Sequence, residues 1–291
     1  VAMENVKGIS DDEIYTEEFY GWFEANDQYN VWDTVTNCTD YLVPQSRERL
    51  VMLASRLGEI ELVPPAKDEG DIVTVRRTFA QFDAPRLDAG EWQPETHHLH
   101  KAAGLRGANP ERMRHTKEGE DWHDLPESLK PASEKNSSYT AYGRMWWDKP
   151  APTLTTNFHN WGSGRFGHPG YDEDKKKSVD RAISFFEGAL LQTFPKDYKF
   201  VEDGEKPQNE RMGRLIGNAV PVRLASAIGG SIRRHIVEAG IDTQFSNSDS
   251  DSDNSQSLSY ENLVPPPETP SPDDQEKQQF RPVSTGVMST D

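Results

Sequence analysis

Residues 43–54 read V-P-Q-S-R-E-R-L-V-M-L-A, a polar string that passes directly into an apolar run. The run from Leu50 to Ala54 contains no polar residue, and short uninterrupted apolar runs are typical of strands buried on both faces. We therefore predict a buried strand over residues 49–54. Two further strands are predicted before it, an apolar strand end at residues 1–6 and a strand at residues 30–36.

A helix is predicted between these first two strands. Ser10 and Glu13 have the spacing of a capping box, in which the two side chains satisfy free amides of the first helical turn. We expect the aromatic face of this helix to pack on the sheet, which makes the first 65 residues an α/β unit. The aromatic residues at helical spacing are Tyr15, Phe19, Trp22 and Phe23.

The character of the sequence changes near residue 66. From there to residue 180 it is rich in Gly, Pro, His, Trp and Arg, with no long periodic helix. We predict a smaller irregular region inserted into the α/β unit. Periodicity returns over residues 181–242, where Pro221 can open a helix and Gly240 can end it. Between them, apolar residues recur every four positions at Leu224, Ile228, Ile232 and Ile236.

Residues 243–291 form an acidic tail rich in Ser and Pro, including S-N-S-D-S-D-S-D-N-S and V-P-P-P-E-T-P-S-P. Such a segment cannot bury enough apolar surface to offset its ordering entropy, and we predict that it is disordered. The chain carries a net charge of −17. The tail holds −7 of it, so the remaining body is also acidic. A polyanionic partner would therefore have to be contacted through local basic clusters.

Composition also limits the kinds of site. The mean hydropathy is −0.83, and no apolar run reaches the roughly 18 residues of a membrane span. We therefore predict no membrane partner. Cys38 is the sole cysteine of the sequence, which excludes an internal disulfide. Histidines at positions 97, 98, 100, 115 and 123 match no ligand spacing, so no metal site is predicted.

Four short motifs occur in a fixed order. They are Glu4-Asn5-Val6, Val43-Pro44-Gln45-Ser46-Arg47-Glu48-Arg49, Glu187-Gly188-Ala189-Leu190-Leu191-Gln192-Thr193-Phe194-Pro195 and Ile216-Gly217-Asn218-Ala219-Val220-Pro221. Between the second and third lie Y-G-R-M (142–145), K-P-A-P-T-L-T-T (149–156) and G-R-F-G-H-P (164–169). Over residues 1–240 this pattern resembles the C-terminal portion of the DNA cytosine-5 methyltransferase family. The resemblance implies an incomplete Rossmann-like methyltransferase sheet with a small inserted target-recognition domain at residues 66–180.

The resemblance also implies a chemistry. Enzymes of this family flip cytosine out of double-stranded DNA and add a cysteine thiolate to its carbon-6, and a carboxyl group hydrogen-bonds the ring nitrogen. Glu4 takes the place of that carboxyl group. Arg49 would contact the flipped base, with Gln45 and Arg47 as supports. The alternatives are a frayed surface Glu4 and arginines that merely pair with surface carboxylates.

The methyl donor implied by the resemblance is S-adenosylmethionine. Gly217, Asn218 and Val220 would lie beside it. Gly217-Asn218 could equally serve as a turn and N-cap for the following helix. The resemblance places Gln192, Phe194 and Pro195 at the join between the two domains.

DNA contacts are assigned to basic side chains of the middle region. Positive charge alone is enough for phosphate contacts, whereas base recognition requires a side chain aimed into a groove, and the sequence does not separate the two. Plain solvated charges are the alternative. The candidates are Arg76, Arg77, Arg106, Arg112, Arg114, Lys117, Arg144 and Arg165. The run Lys175-Lys176-Lys177 is interpreted as an insertion loop.

Several features depart from the family pattern. The glycine-rich cofactor loop and the Pro-Cys loop that carries the nucleophile do not occur in this sequence, and Cys38 is interpreted as a buried structural residue. Leu42 replaces a glycine, and Phe186 replaces an arginine before Glu187. We therefore expect a cytosine-5 methyltransferase portion that is inactive alone.

Two function classes remain open. One is an enzyme whose missing half lies upstream or on a second polypeptide, in a restriction-modification setting. The other is a non-catalytic DNA-binding subunit. An RNA-methylating branch is a third possibility, disfavoured by the full-length middle region. We expect a cytoplasmic prokaryotic protein, and the acidic body would also suit a halophile.

Overall fold

The computed structural model describes residues 1–66, 71–82, 85–131, 140–172 and 177–241. The predicted disordered tail at 243–291 and most of the predicted lysine insertion, Lys175 and Lys176, lie outside these residues. The strands are β1 (Ala2–Val6), β2 (Asn30–Asn37), β3 (Gln45–Ser46), β4 (Glu48–Ser55), β5 (Ala151–Pro152), β6 (Tyr171–Asp172) and β7 (Lys177–Ser178). The α-helices are α1 (Gly21–Glu24), α2 (Val75–Phe79), α3 (Asn109–His115), α4 (Phe185–Leu191), α5 (Asn209–Gly217) and α6 (Val222–Glu238).

The three predicted strands form one small antiparallel sheet in the order β1-β4-β2. Strand β4 runs antiparallel to both neighbours, so β1 and β2 are parallel to each other. As predicted from its apolar run, β4 is buried along nearly its whole length. The register places Val6 opposite Arg49 and Glu4 opposite Val51. Because alternate residues of a strand share a face, Glu4 and Arg49 become diagonal neighbours.

One face of the sheet is covered by a helix that begins as a π-helix at Ile14–Tyr20 and continues as α1. Tyr15 and Phe23 pack against Leu50 and Met52, as predicted. Phe19 and Trp22 do not, and they are 38% and 55% exposed. A π-helix has i→i+5 hydrogen bonds instead of i→i+4, which puts more residues in each turn. Tyr20 therefore takes the place on the sheet that was predicted for Phe19.

The predicted capping box at the start of this helix is also corrected. Ser10 Oγ donates to the carbonyl of Lys7 instead. Asp12 Oδ1 accepts the amides of Ile14 and Tyr15. The cap is therefore the aspartate two positions later, since a preceding 3-10 helix, Lys7–Asp11, already uses the serine.

The other face of the sheet is covered by α6. Leu224 and Ala227 are buried there with Val51 and Leu53, and Ile228 and Ile232 pack against them. Gly240 follows the helix with φ 71°, as a left-handed stop requires. By length and composition alone, Asn209–Glu238 could cross a membrane. It is two helices interrupted at Pro221, and its apolar positions contribute to the core.

A second core joins the middle region to the C-terminal segment. Phe158, Phe166 and Met145 from the middle pack in one cluster with Phe185 of α4 and Ile216 of α5. The predicted boundary at residue 180 thus lies within continuous packing. The described part of residues 66–180 consists of short helices, turns and two-residue strands, as its composition suggested.

Candidate functional site

Glu4 and Arg49 form an ion pair on neighbouring strands. Arg49 Nε lies 3.0 Å from Glu4 Oε1, and the two side chains are only 10% and 17% exposed. The pair exists because β1 and β4 align the two residues diagonally on one face. β1 is an edge strand of the described sheet, and both side chains of the pair keep a small exposed area.

The Glu4 carboxyl group is not fully satisfied. Its Oε1 is buried and accepts no well-aligned hydrogen bond among the described residues. Burial raises the pKa of Glu4, although the charges of Arg49 and Arg47 oppose the shift. A carboxyl group with a raised pKa can carry a proton, and it can then donate a hydrogen bond to a ring nitrogen.

Gln45 and Arg47 lie behind this pair at a buried polar junction. Arg47 Nη1 donates to the carbonyl of Leu154 at 2.7 Å, and Nη2 donates to the carbonyl of Gly217 at 2.9 Å. Gln45 Oε1 accepts the Leu154 amide at 2.8 Å. Burial, aided by Arg49, lowers the pKa of Arg47 to about 10, which leaves it charged at neutral pH. Arg47 therefore links β4 to residues 154 and 217 through buried hydrogen bonds.

Gln192 extends the same junction to the last motif. Its amide Nε2 donates to the carbonyl of Ile216 at 2.8 Å, and its Oε1 accepts from Gln45 Nε2 at 3.2 Å. Gln192 is fully buried, so these partners replace water. The structure thus brings the second, third and fourth motifs into contact through Gln45 and Gln192, as expected for residues at a join.

The residues predicted for the cofactor have three different environments. Gly217 is buried, and a Cβ there would meet the carbonyl oxygen of Thr155 at 2.4 Å. Val220 packs beside the sheet core. Asn218 is exposed and ends α5, since its amide donates to Arg214 O. The predicted N-cap for the next helix is instead Pro221.

Two arginines predicted to contact DNA are internal. Arg144 is 1% exposed, and its guanidinium donates to the carbonyls of Thr116, Met113, His168 and Val179 and to Asp180.

Arg165 is 7% exposed. It binds Asp121 at 2.6 Å and stacks over Trp146. The guanidinium groups of Arg144 and Arg165 therefore hold the irregular middle region together.

The other basic candidates are nearer the surface. Arg106, Arg114 and Lys117 are exposed in and around α3. Arg112 is half-buried, donates to the carbonyl of Leu129 and stacks over Tyr142. Two more cations form surface ion pairs, Arg76 with Asp148 and Arg77 with Asp71.

The departures from the motif pattern have structural explanations. Leu42 adopts φ 58°, the left-handed conformation that glycine tolerates best, and its carbonyl accepts from Arg223. Phe186 is buried against Phe82 and His97. The ion pair that an arginine at 186 could form is supplied by Arg181.

Sequence reasoning missed this Arg181–Glu187 pair. Both side chains are buried, and the two bonds measure 2.7 and 2.8 Å. Burial favours a neutral Glu187, but Arg181 and His168 lower its pKa to about 2. Glu187 also completes a capping box with Ser184. The spacing S-x-x-E at 184–187 was the available signal.

Cys38 occupies the interior. It is fully buried, as interpreted from the sequence, and its amide donates to Arg47 O. Burial raises the pKa of its thiol to about 11, so the thiolate is scarce at neutral pH. Among the described residues, no group of three or more metal-ligating side chains converges.

The sequence is similar to those of known DNA methylases. The family described as "C-5 cytosine-specific DNA methylase" matches residues 1–234 of this chain. The Type II methylase M.HgiDII of Herpetosiphon aurantiacus is 39% identical over 81% of this chain and 65% of its own length. The Type II methyltransferase M1.HphI of Haemophilus parahaemolyticus is 32% identical over 70% of this chain and 48% of its own length.

The fold has a counterpart among solved structures. A prophage-encoded protein from E. coli, described as a DNA modification methyltransferase, superposes with a TM-score of 0.54 at 17% identity. The match covers 81% of this chain and 69% of that one. The chain spans between about half and two thirds of the length of the two relatives named above. Because the match to the family extends over residues 1–234, the chain belongs to the C-5 cytosine-specific DNA methylase family.

Proposed function

We propose that this chain is the part of a restriction-modification DNA cytosine-5 methyltransferase that holds the flipped cytosine and contacts double-stranded DNA. The observation that carries the proposal is the Glu4–Arg49 pair, 3.0 Å apart, with a buried carboxyl oxygen that no well-aligned donor satisfies. A cytosine ring offers the complementary groups, a ring nitrogen and a carbonyl oxygen.

Each residue of the site has a role in this proposal. Burial raises the pKa of Glu4, which favours the protonated carboxyl that donates a hydrogen bond to the ring nitrogen and makes carbon-6 more electrophilic. Arg49 donates to the base oxygen and orients Glu4. Arg47 fixes β4 relative to residues 154 and 217, so that Arg49 keeps its position.

The nucleophile must come from outside these 291 residues. Cys38 is the sole thiol of the sequence, and it is buried with a pKa of about 11. We therefore propose that the thiolate is supplied by a further segment, on the same polypeptide or on a second one, and that the 291 residues alone transfer no methyl group.

S-adenosylmethionine supplies the methyl group in this family. Among the described residues the Asn218 side chain is exposed and makes no hydrogen bond, so it is available to a polar group of that cofactor. Gly217 is held rigidly against Thr155 and fixes the turn that presents Asn218. These residues fit one edge of the cofactor, and the remaining contacts belong to the further segment.

For DNA, we propose that the recognition region uses the exposed cations around α3, Arg106, Arg114 and Lys117. Arg144 and Arg165 are left out of this set because their guanidinium groups are bonded internally. Arg76 and Arg77 can contribute after exchanging their exposed aspartate partners. Each phosphate contact would make the slope of log binding constant against log salt concentration more negative by about 0.9.

Tritium transfer from labelled S-adenosylmethionine to duplex DNA tests the proposal. The chain is assayed alone and mixed with the N-terminal remainder of the Herpetosiphon relative. We expect transfer only from the mixture, and at least a hundredfold loss (about 3 kcal/mol) for Glu4→Gln. Glu48→Gln is the matched control, since Glu48 is exposed and pairs with Lys7. Transfer by the chain alone, or equal losses in both variants, would overturn it.

A non-catalytic DNA-binding subunit is the second candidate, favoured by the buried state of the sole thiol. It predicts salt-dependent DNA binding that Arg114→Gln weakens and no transfer in any mixture. Binding by a mixture that also transfers methyl groups would remove this candidate.

A further inference from the structure

A cleft of about 460 Å³ lies between α2, α4 and residues 85–87. We call it the aromatic cleft and define it by six lining residues, Arg76, Phe79, Phe82, Arg86, His100 and Trp147. None of these residues belongs to the Glu4–Arg49 site. The volume is within the range of small-molecule sites and exceeds that of one nucleobase.

The walls of the cleft are aromatic and fixed by contacts with one another. Phe79 stacks on His168 at 5.6 Å and meets Trp147 edge-on at 6.0 Å. Phe82 meets His100 edge-on at 5.5 Å. Aromatic faces held in this way suit a flat, sequence-tolerant ligand such as a nucleobase, which stacks on them.

His100 supplies one polar group without a partner. The residue is 1% exposed, and its Nε2 lies 3.1 Å from the carbonyl of Pro85. That contact requires a proton on Nε2, so Nδ1 is an acceptor in the neutral ring. Nδ1 is buried and has no hydrogen-bond partner. A buried acceptor without a donor is costly, and an N–H of a bound ligand would satisfy it.

Arg76 is an exchangeable cation at the rim of the cleft. It pairs with Asp148 at 2.6 Å, and both side chains are substantially exposed. Exposed ion pairs contribute little net stability, so a phosphate can compete for this guanidinium group with bidentate geometry. The floor cannot bind it, because Arg181 is already occupied by Glu187.

We propose that the aromatic cleft binds one nucleotide, with a base N–H donating to His100 Nδ1 and the phosphate beside Arg76. The nucleotide is either a free nucleoside 5′-monophosphate or an unpaired nucleotide of a DNA strand, since both present the same base and phosphate. This site is separate from the proposed target-cytosine site and does not depend on it.

Calorimetric titration of the 291-residue chain tests the proposal. The probes are adenosine 5′-monophosphate, ribose 5-phosphate, and DNA duplexes with and without one unpaired adenosine. We expect the base to contribute, so that the mononucleotide binds at least about tenfold more tightly than ribose 5-phosphate. Preference for the duplex with the unpaired nucleotide, without binding of the mononucleotide, would identify DNA as the source.

Two variants separate the contacts. His100→Phe keeps the aromatic wall and removes the acceptor, so it weakens binding of the base-bearing probe about tenfold and leaves ribose 5-phosphate unchanged. Arg76→Gln weakens both probes. Arg233→Gln, an exposed arginine on α6, is the matched control. Thermal melting verifies that each variant is folded, and Arg76→Gln carries the test if His100→Phe is not.

Three results would overturn the proposal. One is equal affinity for the mononucleotide and ribose 5-phosphate, which would reduce the cleft to an anion patch. A second is unchanged affinity in both variants. The third is the absence of binding by the mononucleotide together with equal binding of the two duplexes.

Discussion

Substituting Arg181 with Met tests how much the buried Arg181–Glu187 pair stabilises the start of the C-terminal segment. Methionine keeps an unbranched apolar chain and removes the guanidinium. The change deletes two charge-assisted hydrogen bonds of 2.7 and 2.8 Å to Glu187 and two of 3.0 Å to the carbonyls of Leu87 and Ala182. The Glu187 carboxylate would then be buried at 8% exposure without its cation.

The expected cost follows from that burial. Removing one partner of a buried ion pair destabilises a protein by about 3–5 kcal/mol, because the other charge stays desolvated. For a chain of this size that corresponds to a fall in melting temperature of about 10 °C. Far-UV circular dichroism during urea unfolding at pH 7 measures the free energy of unfolding directly.

The pH dependence provides a second measurement. Despite burial, Arg181 lowers the pKa of Glu187 from 4.5 to about 2. The unfolded state therefore binds the proton first as pH falls. The stabilisation is complete above pH 4.5 and is lost between pH 4.5 and 2, and it amounts to about 3 kcal/mol. In Arg181→Met this loss should disappear, because burial without the cation raises the pKa of Glu187.

The matched control is Arg181→Met combined with Glu187→Gln. Glutamine still accepts the Ser184 amide, which Glu187 Oε2 accepts at 2.6 Å, so the capping box survives. With both charges gone, we expect the double variant to recover at least half of the lost stability. A single variant that loses less than about 1 kcal/mol would refute the reasoning, as would a double variant no more stable than the single one.

Three further predictions concern packing and the sole thiol. Gly217→Ala should destabilise the chain by about 1–3 kcal/mol, because the added Cβ would clash with Thr155 O. Gly229→Ala, in an open part of α6, should stabilise it by about 1 kcal/mol. Equal shifts of the melting temperature in the two variants would contradict this pair of predictions. Gln192→Leu should cost about 1–3 kcal/mol in urea unfolding, because it removes the buried hydrogen bonds to the Ile216 carbonyl and from Gln45 Nε2, and a loss within error would exclude the junction as a stabilising element. Cys38 should resist a thiol reagent at pH 8 until urea unfolds the chain, and rapid labelling of the native protein would show that the thiol is accessible.

The elements of the sheet were predictable because their signals are local. The apolar run at residues 50–54 predicted β4, and the four-residue repeat after Pro221 predicted α6. For the helix between β1 and β2, the aromatic residues that face the sheet were predicted in part wrongly, because residues 14–20 form i→i+5 hydrogen bonds instead of i→i+4. Nothing in the residue types at positions 14–20 distinguishes those two hydrogen-bond patterns.

The DNA-contact prediction shows a different limit. Arg144 and Arg165 have the same composition signal as Arg106 and Arg114. Their guanidinium groups are internal because carbonyls from distant segments, such as Thr116 and Gly119, converge on them. An irregular region without long helices or sheets leaves many carbonyls unpaired, and buried arginines satisfy them. Sequence position does not show which arginines are used in this way.

By itself the sequence determined the family, the strand that centres the sheet and the buried state of Cys38, since these depend on short motifs and apolar runs. Tertiary structure alone decided which charges are paired. The Glu4–Arg49 pair crosses two strands, and the hydrogen bonds of Arg47 to residues 154 and 217 and of Arg181 to the carbonyl of Leu87 join separate segments. Their energies depend on burial and on distances of about 3 Å, and only the folded chain sets these quantities.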